Sequence, residues 1–150
     1  MTTYTMMDVL MASPDAPLPI QKRMYQLEVM WNAMDSLEKA DKPSLADWDA
    51  VAGGINMMEA LRDLGVVEDP DHLIEDAIAA MVKTGYRYKA GANMRLDGPA
   101  ITLLRGLLED YCNALNELPA RTVISAHRHA ERRIVQMRKG KLQPTDVVVK

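Results

Sequence analysis

Ser44-Leu-Ala-Asp-Trp-Asp-Ala-Val-Ala-Gly-Gly-Ile-Asn-Met-Met-Glu-Ala-Leu-Arg-Asp-Leu-Gly65 is the stretch whose reading decides the fold. Ser44 is a helix-capping residue type, and Asp47 falls in the first turn, where the helix dipole favours an anion. Trp48, Val51, Ile55, Met58 and Leu61 recur at three and four residues, the period of one helical face, and Gly65 supplies the stop. Gly53-Gly54 in the middle costs up to about 1 kcal/mol per glycine relative to alanine, so a compensating close approach of a neighbouring helix is expected there.

The same grammar repeats outward from this segment. Upstream, Ile20, Met24, Leu27, Trp31, Met34 and Leu37 form an apolar face that Lys42-Pro43 ends. Downstream, Asp69-Pro70 opens a third helix with aspartate as cap and proline at the first helical position. Its face is Leu73, Ile74, Ala77, Ile78, Met81 and Val82, and it ends between Gly85 and Gly91. Asp97-Gly-Pro99 starts a fourth helix, with Ile101, Leu104, Leu108, Tyr111, Leu115 and Leu118 on the buried side. Pro119 separates it from a fifth, residues 120–139. With no phenylalanine and twelve methionines, the core must be aliphatic and sulfur-rich, which favours helix-on-helix packing over a sheet. The expectation is an all-α domain, a bundle of four to five helices over 20–139. An extended arm of residues 1–19 precedes it, with an apolar cluster from Met6 to Met11 that is expected to dock on the bundle or on a partner, and a tail of residues 140–150 follows.

A chain of 150 residues can bury a core without disulfide or metal. Its single cysteine, Cys112, sits in an apolar helical stripe as a small hydrophobe, which fits a reducing, cytoplasmic setting. No leader pattern opens the chain and no apolar run is long enough to span a bilayer, so no membrane partner is expected.

Charge is sorted along the chain. Residues 28–78 hold thirteen acids against three bases, and residues 121–141 hold seven bases against Glu131 alone. On the fifth helix Arg121, Arg128, Arg132 and Lys139 fall in a narrow arc opposite Val123, His127, Ala130, Ile134 and Met137. No acid interrupts that stripe, which makes it a candidate contact surface for an anionic partner. The candidates are an acidic protein surface or host protein complex, nucleic acid, or the acidic half of a second copy in a homodimer anchored by Trp31 and Trp48. Tyr86, Arg87, Tyr88 and Lys89 interleave rings with cations, as single-strand binding sites do, and join the candidate surface. The bland reading of the two tyrosines is a helix end with half-buried rings, and it is preferred because the sequence pI near 5.6 is low for a nucleic-acid binder.

Catalytic patterns are weak. His127 and His129 project about 200° apart on a helix, so they cannot share one metal ion, and His72 stands elsewhere in the chain. His127 reads better as a core histidine bonded to a carbonyl or carboxylate. Ser125 does not face His127 within a helix, and no nucleophile elbow or phosphate-cradling glycine loop is present. No catalytic, cofactor or metal residue is assigned, and the chain is expected not to be an enzyme.

Asp47-Trp48-Asp49, Ala52, Asn56, Glu59-Ala60-Leu61 and Leu64-Gly65 resemble a pattern in uncharacterised small helical proteins encoded by phages, plasmids and other mobile elements of proteobacteria. The resemblance covers residues 47–65. It implies an accessory protein that binds and modulates or inhibits a host or element protein. A nucleic-acid-binding regulator using the fifth helix is the alternative, and a small helical enzyme the third reading.

Overall fold

In the computed structural model the described residues are 4–138, and all regular structure among them is helical. Six helices follow in order: α1 (Met6–Met11), α2 (Ile20–Lys39), α3 (Leu45–Asp63), α4 (Leu73–Lys89), α5 (Gly98–Glu117) and α6 (Ala120–Arg138). The expected four to five becomes six because the arm is not wholly extended. Thr5 and Asp8 form a reciprocal capping box, Asp8 N–H donating to Thr5 Oγ1 at 3.2 Å and Thr5 N–H to Asp8 Oδ2 at 2.7 Å. A helix of six residues does not hold by itself in water, so docking must supply its stability. The tail and Lys139 lie outside the described residues.

The decisive segment folds as its sequence dictates. Asp47 N–H donates to Ser44 Oγ, Ser44 N–H donates back to Asp47 Oδ2, and Ser36 of α2 donates its hydroxyl to that same oxygen at 2.7 Å. Partial burial works against the Asp47 carboxylate, but these hydrogen bonds from Ser36 and Ser44 outweigh it and hold the group below its usual range. Gly65, at φ +75°, and Gly91, at φ +90°, take the left-handed conformation that ends α3 and α4.

One amphipathic face was expected of α3, and the helix is instead buried nearly all round, from Trp48 through Leu61. It is the hub on which α2, α4, α5 and α6 pack. Trp48, 1% exposed, donates its indole N–H to the carbonyl of Met81 at 3.0 Å, so it belongs to the core and cannot anchor a dimer. Its ring also closes on Gly85, where a Cβ would stand 3.2 Å away. The glycine pair divides its duties. A Cβ on Gly54 would lie 2.7 Å from Leu108 Cδ2 and 2.9 Å from Met30 Sδ, so this glycine lets α2 and α5 close on α3, whereas a Cβ on Gly53 would meet nothing within 4 Å.

Two sequence boundaries shift. Asp69 does cap α4, accepting from the amides of Leu73 and Ile74 at 2.9 Å each, but His72 at φ 58° puts a left-handed residue between the cap and the first helical residue. The helix therefore starts three residues later than Pro70 suggested. On α2 the buried residues are Met30, Ala33, Met34 and Leu37, while Ile20 and Met24 are exposed. Met34 and Leu37 are thus buried as the period suggested and Leu27 and Trp31 pack partly buried against the core, while towards the start of the helix Ile20 and Met24 stay outside and Met30, off the expected stripe, turns inward. α2 is apolar around much of its circumference, and the small surface at Gly54 selects Met30 as the inward residue.

Candidate functional site

The basic helix was expected to present an uncompensated stripe of Arg121, Arg128, Arg132 and Lys139. Other basic residues of α6 are used within the molecule. Arg133 reaches Glu59 at 3.4 Å and Asp63 at 3.3 Å on α3, and His129 Nε2 meets Asp63 Oδ2 at 3.0 Å. Glu59, 3% exposed, is held by Arg133 on one side and Arg62 on the other, and Arg62 extends the network to Asp69 and Glu75. A buried carboxylate needs such partners, since charge in a low-dielectric interior is costly unless paired. Part of the sorting seen along the chain is therefore resolved between α3 and α6 of one copy, the pairing that the sequence suggested for two copies.

The arm covers part of what remains. α1 runs antiparallel to α6, Arg121 donating to the carbonyl of Leu10 at 3.3 Å and Arg128 contacting Met6 Sδ at 3.3 Å. Farther along, the Ala120 N–H donates to Ala16 O at 2.8 Å and the Arg121 N–H to Ser13 O at 3.0 Å. These are first-turn amides of α6 with no partner in their own helix, so the arm serves as that helix's cap. Arg132 stays exposed.

The tyrosine-and-cation segment is the C-terminal part of α4, and both rings are exposed, Tyr86 by 56% and Tyr88 by 43%. Two residues apart on a helix they project about 200° from each other, so they do not form a shared stacking platform. Arg87 turns to the following loop, donating to Arg95 O at 2.8 Å, and Lys89 is exposed. Arg95 in turn reaches the Glu38 carbonyl near the end of α2. The structure thus ties Arg87 to the loop after α4 and Arg121 and Arg128 to α1, and no contact joins the two halves of the expected surface among the described residues.

Two features go beyond the sequence reading. The first is the placing of the Met6–Met11 cluster, which docks on α6 through α1 and yet, with the start of α2, leaves its large apolar side chains outside. Met6, Met7, Leu10 and Met11 on α1 and Ile20, Met24 and Tyr25 on α2 are all exposed, from 56% for Met6 to 78% for Met11. Only Tyr4, Val9 and Ala12 of the arm's first segment pack against the core. The second is a groove of about 390 Å³ between α2, α3 and α6, floored by Gly53 and Gly54 and lined by Tyr4, Tyr25 and Tyr111. His127 meets Glu131 there at 2.7 Å, and the Tyr4 ring stands edge-on to the imidazole, centroids 5.1 Å apart. Burial pushes the Tyr111 hydroxyl up to about 12, with Tyr4 adding to the shift. His127 thus has its carboxylate partner but sits at a groove wall, a third of its side chain exposed, and not in the core.

No known protein family, curated protein or solved structure matches this chain. The residues that carry the resemblance to mobile-element proteins have evident structural work: Asp47 caps, Trp48 and Leu61 fill the core, Glu59 pairs with arginines and Gly65 ends the helix. Among the described residues no three His, Cys, Asp or Glu side chains converge in a way that could hold a metal ion, and no helix is long and apolar enough to cross a membrane.

Proposed function

We propose that the protein is a non-catalytic binding protein, an accessory product of a phage or plasmid, that engages and modulates another protein through its apolar N-terminal edge. The observation that carries this reading is that α1 is capped and pinned to α6 while its methionines face solvent. Large apolar side chains held outward on a built support are characteristic of interaction surfaces, and unbranched methionines adapt to a partner's contours. Arg121, Arg128 and Arg132 border the edge and favour a partner whose own rim is acidic. The charge-sorted surface becomes the rim of this contact, and Tyr86, Arg87, Tyr88 and Lys89 fall outside it.

Photo-activatable methionine supplies the test. A diazirine analogue confined to positions 7 and 11 in producing cells should give a discrete cross-linked protein adduct, and the same group placed at exposed Leu64, beyond the edge, should not. Glutamate at Met7 and Met11 should abolish the adduct formed from a diazirine at position 24. Equal adducts from the edge and from position 64 would refute the reading.

A further inference from the structure

The groove between α2, α3 and α6 carries a specific ligand chemistry. Its volume, about 390 Å³, is that of a small-molecule site. Three of the chain's five tyrosines, Tyr4, Tyr25 and Tyr111, line it. Among the described residues no lysine or arginine lines it, and the acid there is Glu131, fixed in position by His127. A phosphate or carboxylate ligand would meet Glu131 without a lysine or arginine to offset it, which disfavours nucleotides and organic acids.

The face of a phenol ring is the negative end of its quadrupole, and a cation within about 6 Å of the centroid is attracted to it. Glu131, held by His127, adds carboxylate oxygens on the α6 wall, and Val29, Met30, Met57 and Ile134 make the sides apolar. Gly53 keeps the floor open, since nothing lies within 4 Å of where its Cβ would be. An apolar space lined by three tyrosines and one carboxylate suits a cation that is itself apolar on its outside. We propose that the groove binds the headgroup of an organic ammonium compound, with methylated nitrogen against the tyrosine rings and Glu131 as counter-charge.

Choline is the probe, and 3,3-dimethylbutan-1-ol, the same shape without the charge, is its control. The backbone amide signals of Gly53 and Gly54 report occupancy in a two-dimensional NMR titration of the full chain. Choline should shift them saturably, and the neutral alcohol should bind about tenfold more weakly or worse, as expected for loss of a desolvated cation–π contact. Tyr25→Leu keeps apolar bulk at an exposed site, so the fold is retained, and Glu131→Gln removes the charge; each should weaken choline by about three- to tenfold. An acetylated, amidated trimethyllysine presents the headgroup on a peptide backbone. Tighter binding of it than of choline assigns the headgroup to a protein side chain, and equal or weaker binding assigns it to a free metabolite. The proposal is overturned if the alcohol binds as well as choline, if both variants bind choline like the parent, or if no saturable shift occurs.

Discussion

Alanine at Gly53 and alanine at Gly54 should move stability in different directions, although the residues adjoin on one helix. Each substitution removes the backbone freedom that glycine retains in the unfolded chain, a gain of about 0.5–1 kcal/mol in a helix interior. At Gly53 nothing opposes the gain, so Gly53→Ala should raise stability by about that amount. At Gly54 the new methyl would stand 2.7 Å from Leu108 Cδ2 and 2.9 Å from Met30 Sδ. Both neighbours are buried, Leu108 completely, so relief requires displacement within the packed centre. Overpacking of this kind costs about 1–3 kcal/mol, which leaves Gly54→Ala neutral to about 2.5 kcal/mol destabilised. The propensity term is common to both, so their difference reads the packing cost alone, about 1–3 kcal/mol. Urea denaturation of the two variants and the parent gives that difference, provided that the slope is unchanged. Equal stabilisation of both would show that α2 and α5 do not meet over Gly54, and the arrangement around α3 would be wrong.

Other perturbations test other parts. Arg133→Met strips the buried Glu59 of one of its two arginines and should cost about 1–3 kcal/mol, with Glu59→Gln restoring part of the loss when added to it, in chemical denaturation at neutral pH. Asp47 has a folded-state carboxyl held below the ordinary aspartate value of 3.8, so its contribution is complete above that value and is lost as pH falls through the lower folded value. Asp47→Ala should accordingly cost about 0.5–2 kcal/mol near pH 7 and a shrinking amount below pH 4, measured as the gap between the two stability–pH curves. Removing residues 2–17 takes away the acceptors Ser13 O and Ala16 O, so the truncated chain should still unfold cooperatively but with stability lower by about 1–3 kcal/mol. Replacing Arg128 and Arg132 by glutamate should leave stability within about 1 kcal/mol; tight nucleic-acid binding by the parent, steeply salt-dependent and lost in this variant, would favour the nucleic-acid reading over the apolar edge.

Local chemistry was the most legible part of the sequence. Ser44 with Asp47, Asp97 before Pro99, and Gly65 and Gly91 in left-handed conformation act as their residue types dictate, because caps and stops depend on a few adjacent atoms. The inward faces of α4 and α5 were largely legible too, since their apolar residues form one stripe each, although Leu73, expected inside, is exposed at the start of α4. α2 was legible only in part: Met34 and Leu37 are buried as its period suggests, but with Ile20, Met24, Tyr25, Val29 and Met30 distributed round its earlier turns, periodicity could not choose the face that Gly54 receives. On α6 the sequence singled out Arg121, Arg128, Arg132 and Lys139, but it could not show that Arg133 and His129 beside them meet acids some seventy residues earlier in the chain, a pairing set by tertiary packing. The capping pair Thr5 and Asp8 was a readable signal for α1, masked by the prolines that follow. The groove unites Tyr4, Tyr25, Tyr111 and Glu131 from widely separated positions, and no spacing rule collects them.

The central claim is that α1 is fixed on α6 yet leaves its methionines uncovered. Methyl-labelled methionine NMR with a soluble paramagnetic probe tests it on the free protein. The signals of Met6, Met7, Met11 and Met24 should be strongly broadened by the probe and should lie away from random-coil shifts, while Met34, Met81 and Met94 stay protected. Sharp random-coil signals from Met6 to Met11 would show an undocked arm. Protection of those methyls would show the edge already covered, and either result would contradict the account.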